Sequence, residues 1–163
     1  YDVEFSIMNS DLVGIRVMAL RLKISDEHLV RYELAMPKGC NMQDFNKPGV
    51  FSFFCVDTGL VCFTDESIEK EYMEFLKCWY KENSDKNIYN DYFLQFFKQS
   101  YKNHPNLQTE YGNFLLWHLP KNSKRIVIFS SGMGDRIYSS YWGLDKKGNI
   151  TEFVVPFINT EYF

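Results

Sequence analysis

Apolar and polar residues alternate from the first position: Tyr1, Val3, Phe5 and Ile7 share one face of a strand over residues 1–8. Asn9-Ser10-Asp11 is turn chemistry, because short polar side chains bond nearby backbone. A second strand is predicted from Ile15 to Ile24, and after the turn Ser25-Asp26-Glu27-His28 a third from Leu29 to Met36. No crossover helix separates the three, so they read as an antiparallel meander. Pro37-Lys38-Gly39 ends it, and a polar loop leads to Val50–Val56, whose unbroken apolar and aromatic run predicts a buried strand. Asp57-Thr58-Gly59 turns the chain and Leu60 to Phe63 resumes it.

The period then changes. Thr64 or Asp65 caps a helix, Asp65, Glu66 and Glu69 suit its positive end, and Ile68, Tyr72, Phe75, Leu76 and Trp79 recur at helical spacing. A second helix runs from Ile88 to Tyr101, with Tyr89, Tyr92, Phe93, Phe96, Phe97 and Tyr101 as its apolar face, and His104-Pro105 stops it. Strand character returns at Asn113–Leu119, Arg125–Phe129, Tyr138–Leu144 and Ile150–Phe157, the last two joined by a hairpin loop at Asp145–Asn149. These elements predict an α+β fold: mostly antiparallel sheet, sandwich-like or strongly curved, with two consecutive mid-chain helices over a sheet face or edge.

Length and composition narrow this. At 163 residues a single domain, 1–163, can bury a core unaided. With 45% hydrophobic residues the chain should fold rather than stay disordered. A net charge of −3 without a basic run disfavours nucleic acid and leaves room for a basic protein partner. No apolar run is long enough to span a membrane, and no signal peptide opens the chain. Cys40, Cys55, Cys62 and Cys78 form no CxxC pair and no zinc spacing with the three histidines; Cys55 and Cys62 could meet across a turn, but the four read as buried thiols in a reducing, cytoplasmic compartment rather than as a disulfide.

Several segments match a known pattern. In Ser131-Gly132-x-Gly134-Asp135-x-x-Tyr138-x-x-Tyr141-Trp142-Gly143-x-Asp145-x-x-Gly148 the chain resembles an uncharacterised bacterial family, domain of unknown function 4241. Three further blocks resemble it in order: the paired strands from Arg16 to Met36 with the tract Arg31 to Ala35, Gly39 after that tract, and Val56-Asp57-Thr58-Gly59 followed by Cys62, Phe63 and Asp65. Met133 and Arg136 depart from the pattern, which has Trp and Gly there. The family also carries a Gly/Pro-rich N-terminal segment not seen here, so the resemblance leaves room for more chain ahead of Tyr1. It implies no known reaction. Small bacterial families of this kind occur beside secreted or contact-dependent toxins as immunity proteins.

Candidate chemistry centres on Asp57, Asp65, Asp135 and Asp145. Brought together, such carboxylates could bind a divalent cation or form an acid/base pair. Taken singly, Asp57 and Asp145 suit turns, Asp65 a helix cap and Asp135 a bond to backbone in its own glycine turn. Gly59, Gly132, Gly134 and Gly143 read as turn glycines. Ser130-Ser131-Gly132-x-Gly134 lacks the ending of a phosphate loop and the pattern of a nucleophile elbow. Cys62 with His118, or Ser131 with His28 or His104, are formal nucleophile–base pairings. Tyr138, Tyr141 and Trp142 offer aromatic anchors, and the broad aromatic face of the second helix suggests a partner surface.

The expected function is a non-catalytic protein-interaction domain, an immunity protein that binds a basic toxin, with Asp57, Asp65, Asp135, Tyr138, Trp142 and Asp145 as binding residues. No cofactor, resident metal or catalytic residue is expected. The alternative is a small-ligand- or metal-dependent enzyme using Asp57, Asp65 and Asp135.

Overall fold

A computed structural model describes residues 1–45, 47–121 and 124–159. The chain forms two compact units: Tyr1–Met8, Val17–Gly59 and Ser131–Phe163 in the first, Asn9–Arg16 and Leu60–Ser130 in the second. Among the described residues the fold is α+β, with three antiparallel sheets and two main helical segments. Among the described residues no helix is long and apolar enough to cross a membrane.

The first unit is built on a five-stranded sheet. Its strands are β1 (Asp2–Ser10), β2 (Gly14–Lys23), β10 (Ile150–Pro156), β9 (Tyr141–Leu144) and β3 (Arg31–Leu34), in that spatial order. The β1–β2 hairpin and the β9–β10 hairpin occur where the alternation places them. The meander does not continue: β3 pairs with β9 at the far edge, Arg31 opposite Leu144 and Leu34 opposite Tyr141. The connection is long enough to skip two strands. Three inter-strand steps need about 14 Å, and seven extended residues reach about 23 Å. Ile24 and Ser25 both donate to the Thr151 carbonyl as the chain leaves β2, and Val30 donates to Leu144 as it enters β3.

A separate ribbon pairs β4 (Phe53–Cys55) with β8 (Ile137–Ser139), matching Phe53 to Ser139, Phe54 to Tyr138 and Cys55 to Ile137. This corrects two expectations. The apolar run at 50–56 is not a buried strand, since Phe51, Phe53 and Cys55 are exposed. Its covered face is the one that carries Phe54, beside Tyr138. The segment from Tyr138 to Leu144 is two strands, because β8 follows β4 while β9 joins the large sheet, and Ser140 between them accepts from Ala35.

The second unit stacks helices on the sheet β5-β7-β6, made of Leu60–Phe63, Arg125–Ser130 and Phe114–His118. Helix α1 spans Glu66–Glu82 with Asp65 as its cap. The second helical segment opens with a π-helical turn at Tyr89–Phe93 and continues as α2, Leu94–Asn103. Leu115, Trp117, Ile126 and Ile128 point to one sheet face and form a core with Ile68, Phe93 and Phe97. The expected partner surface on the second helix is not found: Tyr89, Tyr92 and Phe96 pack against that core as well. A regular helix drifts at four-residue spacing, and an underwound turn offsets the drift, so residues 89, 92, 93, 96 and 97 all reach the sheet.

The cysteines are free but not buried: Cys55, Cys62 and Cys78 are exposed and Cys40 is half-buried. Cys55 and Cys62 lie on edge strands and Cys78 on the outer part of α1.

Phe97 retains only 1% of its surface and meets Tyr89 at a ring separation of 5.8 Å. Phe97→Ala should lose about 3–5 kcal/mol of stability. Chemical denaturation followed by tryptophan fluorescence measures this, and a near-neutral result would show that the helix does not depend on this core.

Candidate functional site

Two glycine turns meet in the first unit. One is Asp57-Thr58-Gly59 after β4, and the other is Ser131–Asp135 before β8. Gly59, Gly132 and Gly134 have φ of +64°, +64° and +86°, a region that disfavours side chains. The Gly59 amide donates to Asp135 Oδ1 at 2.6 Å, and the Ser131 amide donates back to the Gly59 carbonyl at 2.9 Å. Ser131 Oγ donates to the Gly134 carbonyl at 2.9 Å. The Tyr138 hydroxyl shares its proton between the carbonyls of Ser131 and Gly134, at 2.7 and 2.8 Å. Asp135 thus bonds the backbone of the distant turn, not its own.

The knot is structural throughout. Ser131 is fully buried and its hydroxyl is committed to backbone, so it is not poised to attack a substrate. The Tyr138 ring is packed between Phe157 and Phe54, at 5.0 and 6.0 Å. A Cβ on Gly132 would lie 2.7 Å from the Val17 carbonyl oxygen and 2.8 Å from Phe157 Cβ, whereas one on Gly134 would meet nothing within 4 Å.

The other acidic candidates have separate tasks. Asp65, in the second unit, accepts from Ser67 N at 2.8 Å as the cap of α1, and bonding to Ser67 holds its carboxyl below the usual value. Asp145 is buried in the β9–β10 hairpin. It accepts from Lys147 N at 2.7 Å, Asn149 N at 2.8 Å and Asn149 Nδ2 at 2.9 Å. Bonds from Asn149 above all lower its carboxyl. Asp57 is exposed in its turn. Among the described residues no group of three or more His, Cys, Asp or Glu is placed to hold a metal ion. The Asp57/Asp65/Asp135 set therefore does not assemble into a metal site.

Nor do the nucleophile–base pairs form. Cys62 lies opposite Ile128, which lies opposite Leu115, so these three share a sheet face. His118, three residues beyond Leu115, projects from the other face and stands about 14 Å away by strand geometry. His104 closes α2 in the second unit, and His28 lies in the exposed loop after β2 in the first.

Trp142 is a half-buried sheet residue whose ring lies 4.7 Å from Phe153. Gly143 is not a turn glycine: it lies inside β9, opposite Glu152 on β10 and Tyr32 on β3. A Cβ there would be 2.6 Å from Glu152 Cγ. The missing side chain lets Glu152 cross β9, and its carboxylate accepts from the Tyr32 hydroxyl at 2.5 Å and from Arg21 at 3.4 Å. Arg21 also donates through Nε to Glu4 at 2.8 Å. Burial, then the bond to Glu152, raises the Tyr32 phenol to about 12. Sequence reasoning missed this polar ladder from β1 to β3. The available signal was a glycine inside a strand, which marks close approach by a neighbour.

An exposed apolar patch also lies in the first unit. On the face of the β4–β8 ribbon opposite Phe54 and Tyr138, Phe53 and Ile137 are 40% and 63% exposed, and adjoining Phe51 is 54% exposed. The Phe51 and Phe53 rings are 5.1 Å apart. Ile137 also borders a cleft of about 720 Å³ lined by Met133, Arg136, Tyr141 and Ile158.

A family model described as "Protein of unknown function (DUF4241)" matches residues 1–155. No curated protein and no solved structure matches the chain.

Two outcomes follow from this geometry. Gly134→Ala should cost about 1–2 kcal/mol through φ alone, and Gly132→Ala a further ~1–3 kcal/mol because neighbouring atoms must move. Equal melting of the two variants would contradict the difference in room. Asp145 binds its proton less readily folded than unfolded. Its contribution is complete above the ordinary value of about 3.9 and is lost as pH falls through the lower folded value. Asp145→Asn should therefore melt below wild type at neutral pH, with a gap that narrows below pH of about 4. A gap independent of pH in thermal melts would show that the carboxylate charge is not its source.

Proposed function

The chain belongs to the DUF4241 family of proteins of unknown function, and from that premise we propose that it is a non-catalytic module that binds another protein, acting as an immunity protein that neutralises a cognate bacterial toxin. One observation carries this reading: Phe53 and Ile137 on one face of the β4–β8 ribbon, with adjoining Phe51, are exposed apolar groups. Covering such a surface is favourable by roughly 25 cal/mol for each Å² removed from water. Contiguous exposed apolar groups of this kind mark interaction sites.

The polar groups support the same reading. Asp135, Asp145, Asp65, Ser131 and Tyr138 all bond backbone, so each already has a structural task. The ribbon supplies apolar anchors, and the net charge of −3 favours encounter with a basic partner.

The informative partner is the product of the reading frame next to this one. Co-expression should restore growth if that product is a toxin, and the purified pair should associate in calorimetry. Phe53→Glu combined with Ile137→Glu should weaken association at least ~10-fold without changing the circular dichroism spectrum, since both side chains are exposed. Wild-type affinity in that double variant, or no rescue of growth by the native chain, would overturn the proposal.

A further inference from the structure

The second unit carries an apolar groove of different character. On α1, Glu71, Glu74, Cys78 and Glu82 follow one another at spacings of three and four, which places them along one helix face. That face and the segment Leu119-Pro120-Lys121 after β6 enclose a groove of about 440 Å³. Phe75, Trp79 and Leu119 form its floor, and both aromatic rings are half-buried rather than covered. The lysines of α1, Lys70, Lys77 and Lys81, do not line it. Glu71 is bonded to Lys124 at 2.5 Å, leaving Glu74 and Glu82 on the rim against Lys121. Glu82 is also the last residue of α1, where the helix dipole adds negative partial charge.

We infer that this groove binds an arginine-bearing segment of the protein partner, with the arginine stem and guanidinium plane lying on Trp79 and Phe75 and the cation held by Glu74 or Glu82. The match is one of charge and shape together. An arginine side chain is apolar along its stem, stacks on aromatic faces and takes carboxylates in a planar fork. A purely apolar segment would strand the rim carboxylates, and an acidic one would be repelled by them. This deepens the interaction reading and rests on it for the identity of the partner, but the groove's chemistry can be tested without that partner.

The probe is an acetylated and amidated leucine–arginine–leucine tripeptide, titrated into the whole chain and followed by amide and indole chemical shifts. Shifts should concentrate at Phe75, Cys78, Trp79 and Leu119. The same peptide with citrulline in place of arginine, which keeps the shape and loses the charge, should bind at least ~10-fold more weakly. Glu74→Gln with Glu82→Gln should reduce arginine-peptide binding by a similar factor and leave thermal melting unchanged, because both residues are exposed. Equal binding of the citrulline peptide, shifts centred elsewhere, or an unaffected double variant would each overturn the groove assignment. If the neighbouring gene's product fails to bind while the peptide result holds, the toxin reading falls and the groove stands. If that product binds wild type and the double variant alike, the groove is not where its arginine docks.

Discussion

Gly59 and Asp135 are 76 residues apart in sequence and 2.6 Å apart in space, and the local geometry of the first unit depends on that bond. Backbone groups that lose contact with water on folding must find partners. Here each turn satisfies the other, with Tyr138 and Ser131 closing the remaining carbonyls. Val56 donates to Arg136 just beyond, which sets β4 antiparallel to β8 in a single register. Once Tyr138 is fixed inward, the two-residue period of a strand turns Ile137 outward, and Phe53 follows from its pairing with Ser139. The apolar outer face is thus the reverse side of a polar knot.

The second unit is organised by aromatic packing. Trp117 is ringed by Tyr72, Phe75, Tyr92 and Phe93 at 5.0–6.1 Å between centroids. The π-helical turn commits the second helix's aromatics to this cluster. Trp79, near the end of α1, meets Tyr80 and Tyr92 but keeps a partly open face, and that opening is the groove.

Local chemistry was legible in the sequence where it is self-contained. Asp65 announced a cap, the spacing of Ile68, Tyr72, Phe75 and Trp79 announced α1, and Asp145 and Asn149 announced a hairpin. Partnerships between distant segments were not legible. Alternation says which residues share a face, and β3 alternates equally well beside β2 or beside β9. The run at 50–56 looked buried because its composition is that of a core strand, yet the face that carries Phe53 and Cys55 stays open. The carboxylates drew attention as possible ligands, yet Asp135 and Asp145 hold backbone amides. Glu152, ordinary in sequence, proved to be a buried acid that bonds across the sheet. Met133 and Arg136 both line the cleft beside the ribbon.

Ser131 and Gly59 are 72 positions apart and bonded, and the main body of the second unit is the chain between them. Closing a flexible loop costs entropy that grows only with the logarithm of its length, about 0.6 kcal/mol per doubling. With both ends pinned by the knot, that cost belongs to the first unit whatever the excursion contains. Leu60–Ser130 is then a cassette whose length can change at little entropic cost to the knot that holds its ends.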